Sequence, residues 1–111
     1  MRLKQCLIVV GTFWPIAAFS AGDSFYNGNR LLDYCERKSE SCTSYIAGIV
    51  DTLMAVNFVT KNPIICLPDN VQLGQAVDVT VNYMRAHPEK RQVSAASMAF
   101  VALTRAFPCS K

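Results

Sequence analysis

Histidine and the common catalytic motifs are almost absent from this chain. His87 is the only histidine. The sequence contains no Gly-rich phosphate loop and no H-E-x-x-H or G-x-S-x-G motif. A serine or cysteine nucleophile needs a base held against it, yet His87 comes directly before Pro88, where a turn is expected. The sequence therefore predicts no catalytic residue and no cofactor, and we expect the protein not to be an enzyme.

A large excess of charge of one sign is also missing. The formal net charge is +3, but Arg2 and Lys4 lie in an N-terminal segment that we expect to be removed, which leaves about +1. Further along, basic and acidic residues are interleaved, as they are between Glu36 and Glu40. A chain so close to neutral predicts a solvated surface and no nucleic-acid partner.

The first twenty residues have the composition of a secretory signal peptide. Two basic residues precede an apolar stretch from Cys6 to Phe19, and small side chains occupy positions Ala18 and Ser20. We therefore expect residues 1–20 to be cleaved on export, within two residues of Ser20. Residues 21–111 then form a single domain that works outside the cytosol.

No later segment is expected to enter a membrane. The longest apolar stretch after the signal, Tyr45 to Val59, is interrupted by Asp51 and Asn57. It is also shorter than the roughly 20 residues that cross a bilayer. We therefore predict a soluble exported domain with no membrane partner.

Apolar residues recur at helical spacing in four segments, which predicts an all-α fold. In the third segment, the alternation from Val77 to Tyr83 also fits a half-buried strand, but a lone strand would leave its backbone unpaired. We therefore favour a helix there and expect a small four-helix bundle-like domain stapled by two disulfides. The predicted helices are Arg30 to about Lys38 after Asn29 as cap, Tyr45 to about Phe58, Leu73 to about Met84, and Ala95 to about Phe107 after Ser94 as cap.

The second predicted helix is apolar over most of its circumference. A helix of this kind is either central in the core or buried in a subunit interface. Asp51 is its one charge, and the sequence leaves open whether this residue is paired, faces solvent or contacts a partner. Helical spacing places the aromatic residues mainly in the core, with one or two available to an interface: Tyr45, Phe58, Tyr83, Phe100 and Phe107.

Four cysteines remain once Cys6 has left with the signal. Export favours disulfides over thiols, and zinc sites usually contain a closer cysteine pair than any here, so we expect no metal site. If the third and fourth helices form an antiparallel hairpin, the residues before and after it lie at the same end. This geometry predicts a disulfide between Cys66 and Cys109, and a tight connection between the first two helices predicts one between Cys35 and Cys42.

Four segments follow one another from Gly28 to Cys109: GNRLLDYC, CTSYIAGIVDTL, CLPDNVQLGQAVDVTVNYMRAHPEKR and SAASMAFVALTRAFPC. In this order they resemble the Rap/Tai family, the periplasmic immunity proteins of type VI secretion peptidoglycan amidase effectors. The resemblance implies a small helical, disulfide-bonded and usually dimeric protein of the periplasm, without catalysis of its own. It also implies immunity by occlusion, in which a protruding loop or helix end enters the active-site cleft of the toxin.

The shared pattern does not specify which residues block a toxin. Our first candidate is the polar turn between the third and fourth helices, because proline stiffens it and its insertion costs little ordering entropy. A second candidate is the connector after the second helix, and both segments also fit plain solvated loops. The turn consists of His87, Pro88, Glu89, Lys90, Arg91 and Gln92, with Lys90 or Arg91 as anchor, and the connector contains Lys61, Asn62, Pro63, Asp69 and Asn70.

A different class of protein also fits a small, helical, disulfide-linked chain of the periplasm. An acid-stress or holdase chaperone exposes apolar surface when its carboxylates are neutralised at low pH. Eight acidic residues and one histidine give no evident switch of this kind, so the chaperone is the second interpretation.

Overall fold

The computed structural model describes Gly11 and residues 24–110. In residues 24–110 the chain forms four α-helices and no β-strand, which confirms the all-α prediction and shows that the strand alternative in the third segment is wrong. The predicted signal peptide, residues 1–20, lies outside the described residues apart from Gly11. The helices are α1 (Gly28–Glu36), α2 (Glu40–Thr60), α3 (Leu73–Ala86) and α4 (Ala95–Ala106), and a 3-10 turn covers Pro88–Lys90.

Helix α1 begins two residues earlier than predicted. Its cap is Asn27 rather than Asn29, because the Oδ1 of Asn27 accepts a hydrogen bond from the backbone N–H of Arg30 at 2.9 Å. The first N–H of the helix has a partner from a distant segment, since the N–H of Gly28 donates to the carbonyl of Val93 at 2.9 Å. This tertiary contact helps to fix where the helix begins, and the local sequence does not reveal it.

The connection between α1 and α2 is a tight turn with a left-handed residue, Lys38. The N–H of Lys38 donates to the carbonyl of Cys35 at 3.1 Å, and the N–H of Ser39 donates to the carbonyl of Tyr34 at 3.0 Å. These are the two hydrogen bonds of a Schellman motif. Lys38 has a φ of 53°, a conformation that glycine adopts more easily than lysine. The turn brings Cys35 beside Cys42.

Lys38→Gly is expected to stabilise the fold by about 0.5 to 1 kcal/mol, because it removes the steric cost of a side chain in the left-handed region. Within residues 24–110 the exposed Lys38 side chain has no hydrogen bond or ion pair to lose. Urea unfolding measures the gain. Lys90→Gly is the control, since Lys90 has no positive φ, and an equal gain in both variants would contradict the backbone explanation.

The core lies where the four helices meet, and every helix contributes to it. Leu31 of α1, Ile46 of α2, Met84 of α3 and Leu103 of α4 are completely buried. The remaining core residues are mostly smaller: Leu32, Cys42, Leu53, Ile65, Ala76, Val81, Ala95, Met98 and Ala99.

The aromatic residues divide between the core and the surface. Tyr45, Tyr83 and Phe107 pack against the core, as predicted. Phe58 is 85% exposed and Phe100 is 42% exposed, so a core position is wrong for these two. Their exposure makes them available to an interface instead.

Both predicted disulfides are present. Cys35–Cys42 joins α1 to α2, and Cys66–Cys109 joins the connector before α3 to the segment after α4. The N–H of Cys66 also donates to the carbonyl of Phe107 at 3.0 Å. The start of α3 and the end of α4 are therefore held together, as the predicted antiparallel hairpin requires.

The connector between α2 and α3 is held against α2 by Asn57. The Nδ2 of Asn57 donates to the carbonyl of Ile65 at 2.6 Å, and its Oδ1 accepts from the N–H of Ile64 at 2.7 Å. Ile65 is only 1% exposed, so its backbone groups have little access to water. Asn57 interrupts the apolar run of the sequence and positions the segment that carries Cys66.

By length and composition alone, α2 is long and apolar enough to cross a membrane, which corrects the expectation based on Tyr45 to Val59. The most apolar 18-residue window of α2 has a mean hydropathy of 1.4, and 17% of this window is buried. In the described structure α2 packs against the other three helices, and Cys42 links it covalently to α1. The helix is therefore part of the bundle, but the other helices leave part of its apolar surface exposed.

Candidate functional site

The turn between α3 and α4 is ordered by its own hydrogen bonds. His87 ends α3, and the 3-10 turn Pro88–Lys90 follows at once. The N–H of Lys90 donates to the carbonyl of His87 at 3.0 Å, and the N–H of Val93 donates to the carbonyl of Lys90 at 3.1 Å. The backbone of the turn is thus fixed from within.

His87 contributes to this order at the end of α3. Its ring stacks on the ring of Tyr83 with 4.2 Å between the centroids, and its Nδ1 lies 2.8 Å from the carbonyl oxygen of Tyr83. A carbonyl oxygen only accepts, so Nδ1 carries the proton of this hydrogen bond. These contacts are typical of a residue that terminates a helix.

The turn is also held from outside by the beginning of α1. The N–H of Asn29 donates to the carbonyl of Arg91 at 2.9 Å. Gly28 lies so close to the turn that an added Cβ would lie 3.0 Å from the carbonyl oxygen of Arg91 and overlap the sulfur of Met98. Glycine permits this close approach of two backbone segments, which therefore form one rigid unit.

The six predicted turn residues differ in their exposure to solvent. Arg91 is partly buried, and its Nε is buried with no hydrogen-bond partner among the described residues. His87 is also partly buried, against Tyr83. Lys90 is therefore better placed than Arg91 to contact a partner. The exposed residues, which we call the tip, are Pro88, Glu89, Lys90 and Gln92.

The second predicted segment lies elsewhere on the surface. Lys61, Asn62 and Pro63 are exposed at the C-terminal end of α2, and Asp69 and Asn70 are exposed further along the connector. Helix α3 separates the connector from the turn, and its 14 residues span about 20 Å. The structure does not bring the two candidates into one site.

Next to the turn lies a surface that sequence reasoning missed, the arginine–tyrosine patch formed by Tyr26, Arg30, Tyr34 and Arg37. The Nε of Arg30 donates to the hydroxyl of Tyr34 at 3.2 Å, and its guanidinium lies 5.1 Å from the centre of the Tyr26 ring. The guanidinium of Arg37 lies 5.4 Å from the ring of Tyr34. The carbonyl of Tyr26 accepts from the N–H of Ala95 at 2.9 Å, which joins the patch to the segment after the turn.

Arginine and tyrosine are residue types that often dominate the energy of protein interfaces. The hydrogen bond to Tyr34 raises the pKa of Arg30, whose side chain has no ion-pair partner within residues 24–110. Arg37, in contrast, pairs with Asp33 at 2.6 Å. The sequence did carry a signal for this patch, because Arg30, Tyr34 and Arg37 follow one another at a spacing that puts them on one helix face.

The described residues contain no candidate metal centre. In Gly11 and residues 24–110, no group of three or more His, Cys, Asp or Glu side chains is arranged to hold an ion. The four cysteines of this part of the chain are joined in disulfides. The candidate site is the polar tip beside the arginine–tyrosine patch, and the residue types of the patch are common in protein interfaces.

Comparison with known protein families gives a match over most of the chain. The sequence model of a family described as Rap1a immunity proteins matches residues 27–109, a range that holds the four helices, the two disulfides and the turn. No curated protein and no solved structure matched the chain. Since the matched range covers most of its length, the chain belongs to the Rap1a immunity protein family.

Proposed function

We propose that this immunity protein is exported to the periplasm, where it binds a type VI secretion peptidoglycan amidase and occludes its active site. It thereby protects the producing cell from toxin delivered by itself or by its siblings. Family membership over residues 27–109 is the observation that carries this proposal. The two disulfides support it, because they persist in oxidising compartments such as the periplasm.

We assign the tip of the turn to the active-site cleft of the amidase. Its backbone is held by the hydrogen bonds within the turn and by the contact with α1. Inserting a segment that is already ordered costs less conformational entropy than ordering a loose loop. Lys90 supplies a positive charge that fits an acidic or carbonyl-lined cleft. Occlusion of this kind excludes the substrate by volume and needs no catalytic group on the immunity protein.

The arginine–tyrosine patch supplies the contact area beside the tip. Arg30 is exposed, and within residues 24–110 it has no acidic partner. A carboxylate on the toxin surface would form a charge-assisted hydrogen bond with it. The rings of Tyr26 and Tyr34 hold the guanidinium in place before the toxin arrives, at 5.1 and 5.8 Å from their centroids.

Cleavage of purified cell-wall peptide by the suspected amidase tests the proposal. Stoichiometric mature protein under nonreducing conditions is expected to abolish cleavage. The triple variant Glu89→Ala/Lys90→Ala/Gln92→Ala is expected to raise the inhibition constant by roughly 100-fold, because it truncates three of the four side chains of the tip and leaves Pro88 to keep the turn in place. These residues are exposed, so the variant is expected to keep its fold.

Asp69→Ala/Asn70→Ala is the matched control, because these exposed residues lie at the other end of α3. It is expected to inhibit like the wild type. If the triple variant also inhibited fully, the blocking element would lie outside the turn. Full cleavage in the presence of the wild type, with no complex on a sizing column, would reject the amidase as target. Suppression of aggregation at low pH would then favour the chaperone interpretation.

A further inference from the structure

A pocket of about 300 Å³ lies between the turn that joins α1 to α2 and one face of α3. The Cys35–Cys42 disulfide forms part of its wall. Ligand pockets in proteins begin at roughly 300 Å³, so this one has room for a small molecule. We call it the disulfide pocket, and its polar lining includes Lys38, Thr43, Asp78, Asn82 and Arg85.

The charged side chains of the disulfide pocket are available to a ligand. In the described residues 24–110, the side chains of Lys38 and Asp78 are exposed and make no hydrogen bond or ion pair. Arg85 pairs with Glu36 at 3.4 Å, but more than half of each side chain stays exposed. An exposed pair of this kind contributes little, so a carboxylate of a ligand can replace Glu36. The pocket therefore offers two cations and one carboxylate to a small molecule that carries both charges.

The two cysteines of the pocket differ in their access to solvent. Cys42 is only 2% exposed, whereas Cys35 is partly exposed. Cys42 is also the third residue of α2, where a helix N-terminus stabilises a thiolate. Glu40 lies in the same turn, but it is exposed and water weakens its effect. A thiolate that enters the pocket therefore attacks Cys35, and Cys42 is the leaving group.

We propose that the disulfide pocket is a site of reversible thiol–disulfide exchange with a small amino-acid thiol, of the class of cysteine or glutathione. The thiolate of this molecule attacks the Sγ of Cys35 and forms a mixed disulfide there, while the Cys35–Cys42 bond breaks. The electron pair of the broken bond stays on Cys42, which becomes a thiolate. The small thiol is thereby oxidised and Cys42 is reduced, so no further oxidant is needed.

The charges of the pocket select this class of thiol. A carboxylate of the small thiol binds Lys38 and Arg85, and its ammonium group binds Asp78. A thiol without these groups reaches the disulfide without such help. The inference does not rest on the proposed function, because the exchange needs only the pocket and its disulfide.

The second disulfide provides a comparison within the same molecule. Cys66–Cys109 closes a loop of 43 residues, whereas Cys35–Cys42 closes one of 7. A longer closed loop stabilises the fold more, so the fold in turn resists the opening of Cys66–Cys109 more strongly. Cys66 is itself exposed, so access alone does not protect that bond. We therefore expect exchange first at Cys35–Cys42, while Cys66–Cys109 keeps the chain folded.

Peptide mass spectrometry tests where the exchange occurs. The folded mature protein is incubated with glutathione, quenched with acid and alkylated. Glutathione is expected on Cys35 and the alkyl group on Cys42, with Cys66–Cys109 still closed. Opening of Cys66–Cys109 first would overturn the proposal, as would a Cys35 that stays unmodified.

Charge variants test the recognition of the thiol. Lys38→Gln and Arg85→Gln are each expected to slow the opening of Cys35–Cys42 by glutathione roughly fivefold, because each removes a cation that holds a carboxylate. Lys61→Gln is the matched control, since Lys61 is exposed at the other end of α2, and its rate is expected to stay within about twofold of wild type.

An uncharged thiol separates recognition from a general effect of charge on the disulfide. 2-Mercaptoethanol has neither a carboxylate nor an ammonium group, so Lys38→Gln and Arg85→Gln are expected to change its rate by less than about twofold. If the two variants slowed both thiols equally, the cations would act on the leaving thiolate of Cys42 and the proposed recognition would be wrong. Variants that slowed neither thiol would also contradict it.

Discussion

Removing the Cys66–Cys109 disulfide is expected to lower the free energy of unfolding by about 4 kcal/mol, the entropy that a closed loop of this length removes from the unfolded chain. The two cysteines are 43 residues apart in the sequence. Domains of this kind have a total stability of roughly 5 to 15 kcal/mol, so the loss brings the protein close to unfolding. Urea denaturation of Cys66→Ser/Cys109→Ser measures it.

The Cys35–Cys42 disulfide is the internal control, because it closes a loop of only 7 residues. The same reasoning gives about 2 kcal/mol for its removal by Cys35→Ser/Cys42→Ser. Loop length therefore predicts the order of the two losses. Equal losses would show that local packing rather than chain entropy determines what each disulfide contributes. A larger loss for the short loop would show that the Cys35–Cys42 disulfide also stabilises the turn between α1 and α2 in the folded state.

Helix periodicity predicted the fold well where a helix has one apolar face. Leu73, Ala76, Thr80 and Met84 recur at helical spacing, and α3 covers them all. The cap of α4 was predicted by a local signal, since Ser94 accepts from the N–H of Ser97 at 3.2 Å. Both features depend on residues close together in the sequence, and this is why the sequence alone identifies them.

The same reasoning failed where distant segments decide the outcome. Asn27 and Asn29 both lie near the start of α1, and Asn27 is the cap because the helix already begins at Gly28, whose N–H bonds to Val93 just after the turn. Helix α2 is apolar nearly all round, so periodicity did not distinguish its core face from its exposed face. Phe58 was therefore assigned to the core, although it is one of the most exposed apolar residues of the described chain.

The candidate site was predicted in part for the same reason. The turn from His87 to Gln92 was recognisable because proline and polar residues lie between two helical patterns. The burial of Arg91 was not predictable, since it depends on the packing of α1 against the turn. The arginine–tyrosine patch depends on Tyr26, which precedes the first helix and carries no periodic signal of its own.

Replacing Asn57 is the second change for which we expect a large effect. Asn57→Ala is expected to destabilise the fold by about 2 to 4 kcal/mol, because it leaves the N–H of Ile64 and the carbonyl of Ile65 without their partners. Ile65 is buried, so water does not replace the lost bonds. Urea unfolding measures the loss. Thr52→Ala is the control, since Thr52 is exposed on the same helix and bonds only to the carbonyl of Gly48, and we expect a change within about 0.5 kcal/mol.

Asn57→Asp separates the donor from the acceptor of this side chain. A carboxylate still accepts from the N–H of Ile64, but it loses the donor to the carbonyl of Ile65 and places a negative charge beside that oxygen. The fold then favours the protonated carboxyl, which raises its pKa above the value of about 3.9 for an unfolded chain. The stability of this variant relative to wild type is therefore expected to rise as the pH falls through the raised pKa, and to be lost again at neutral pH. A relative stability that does not change with pH would show that the donor of Asn57 contributes little, and that its acceptor alone holds the connector against α2.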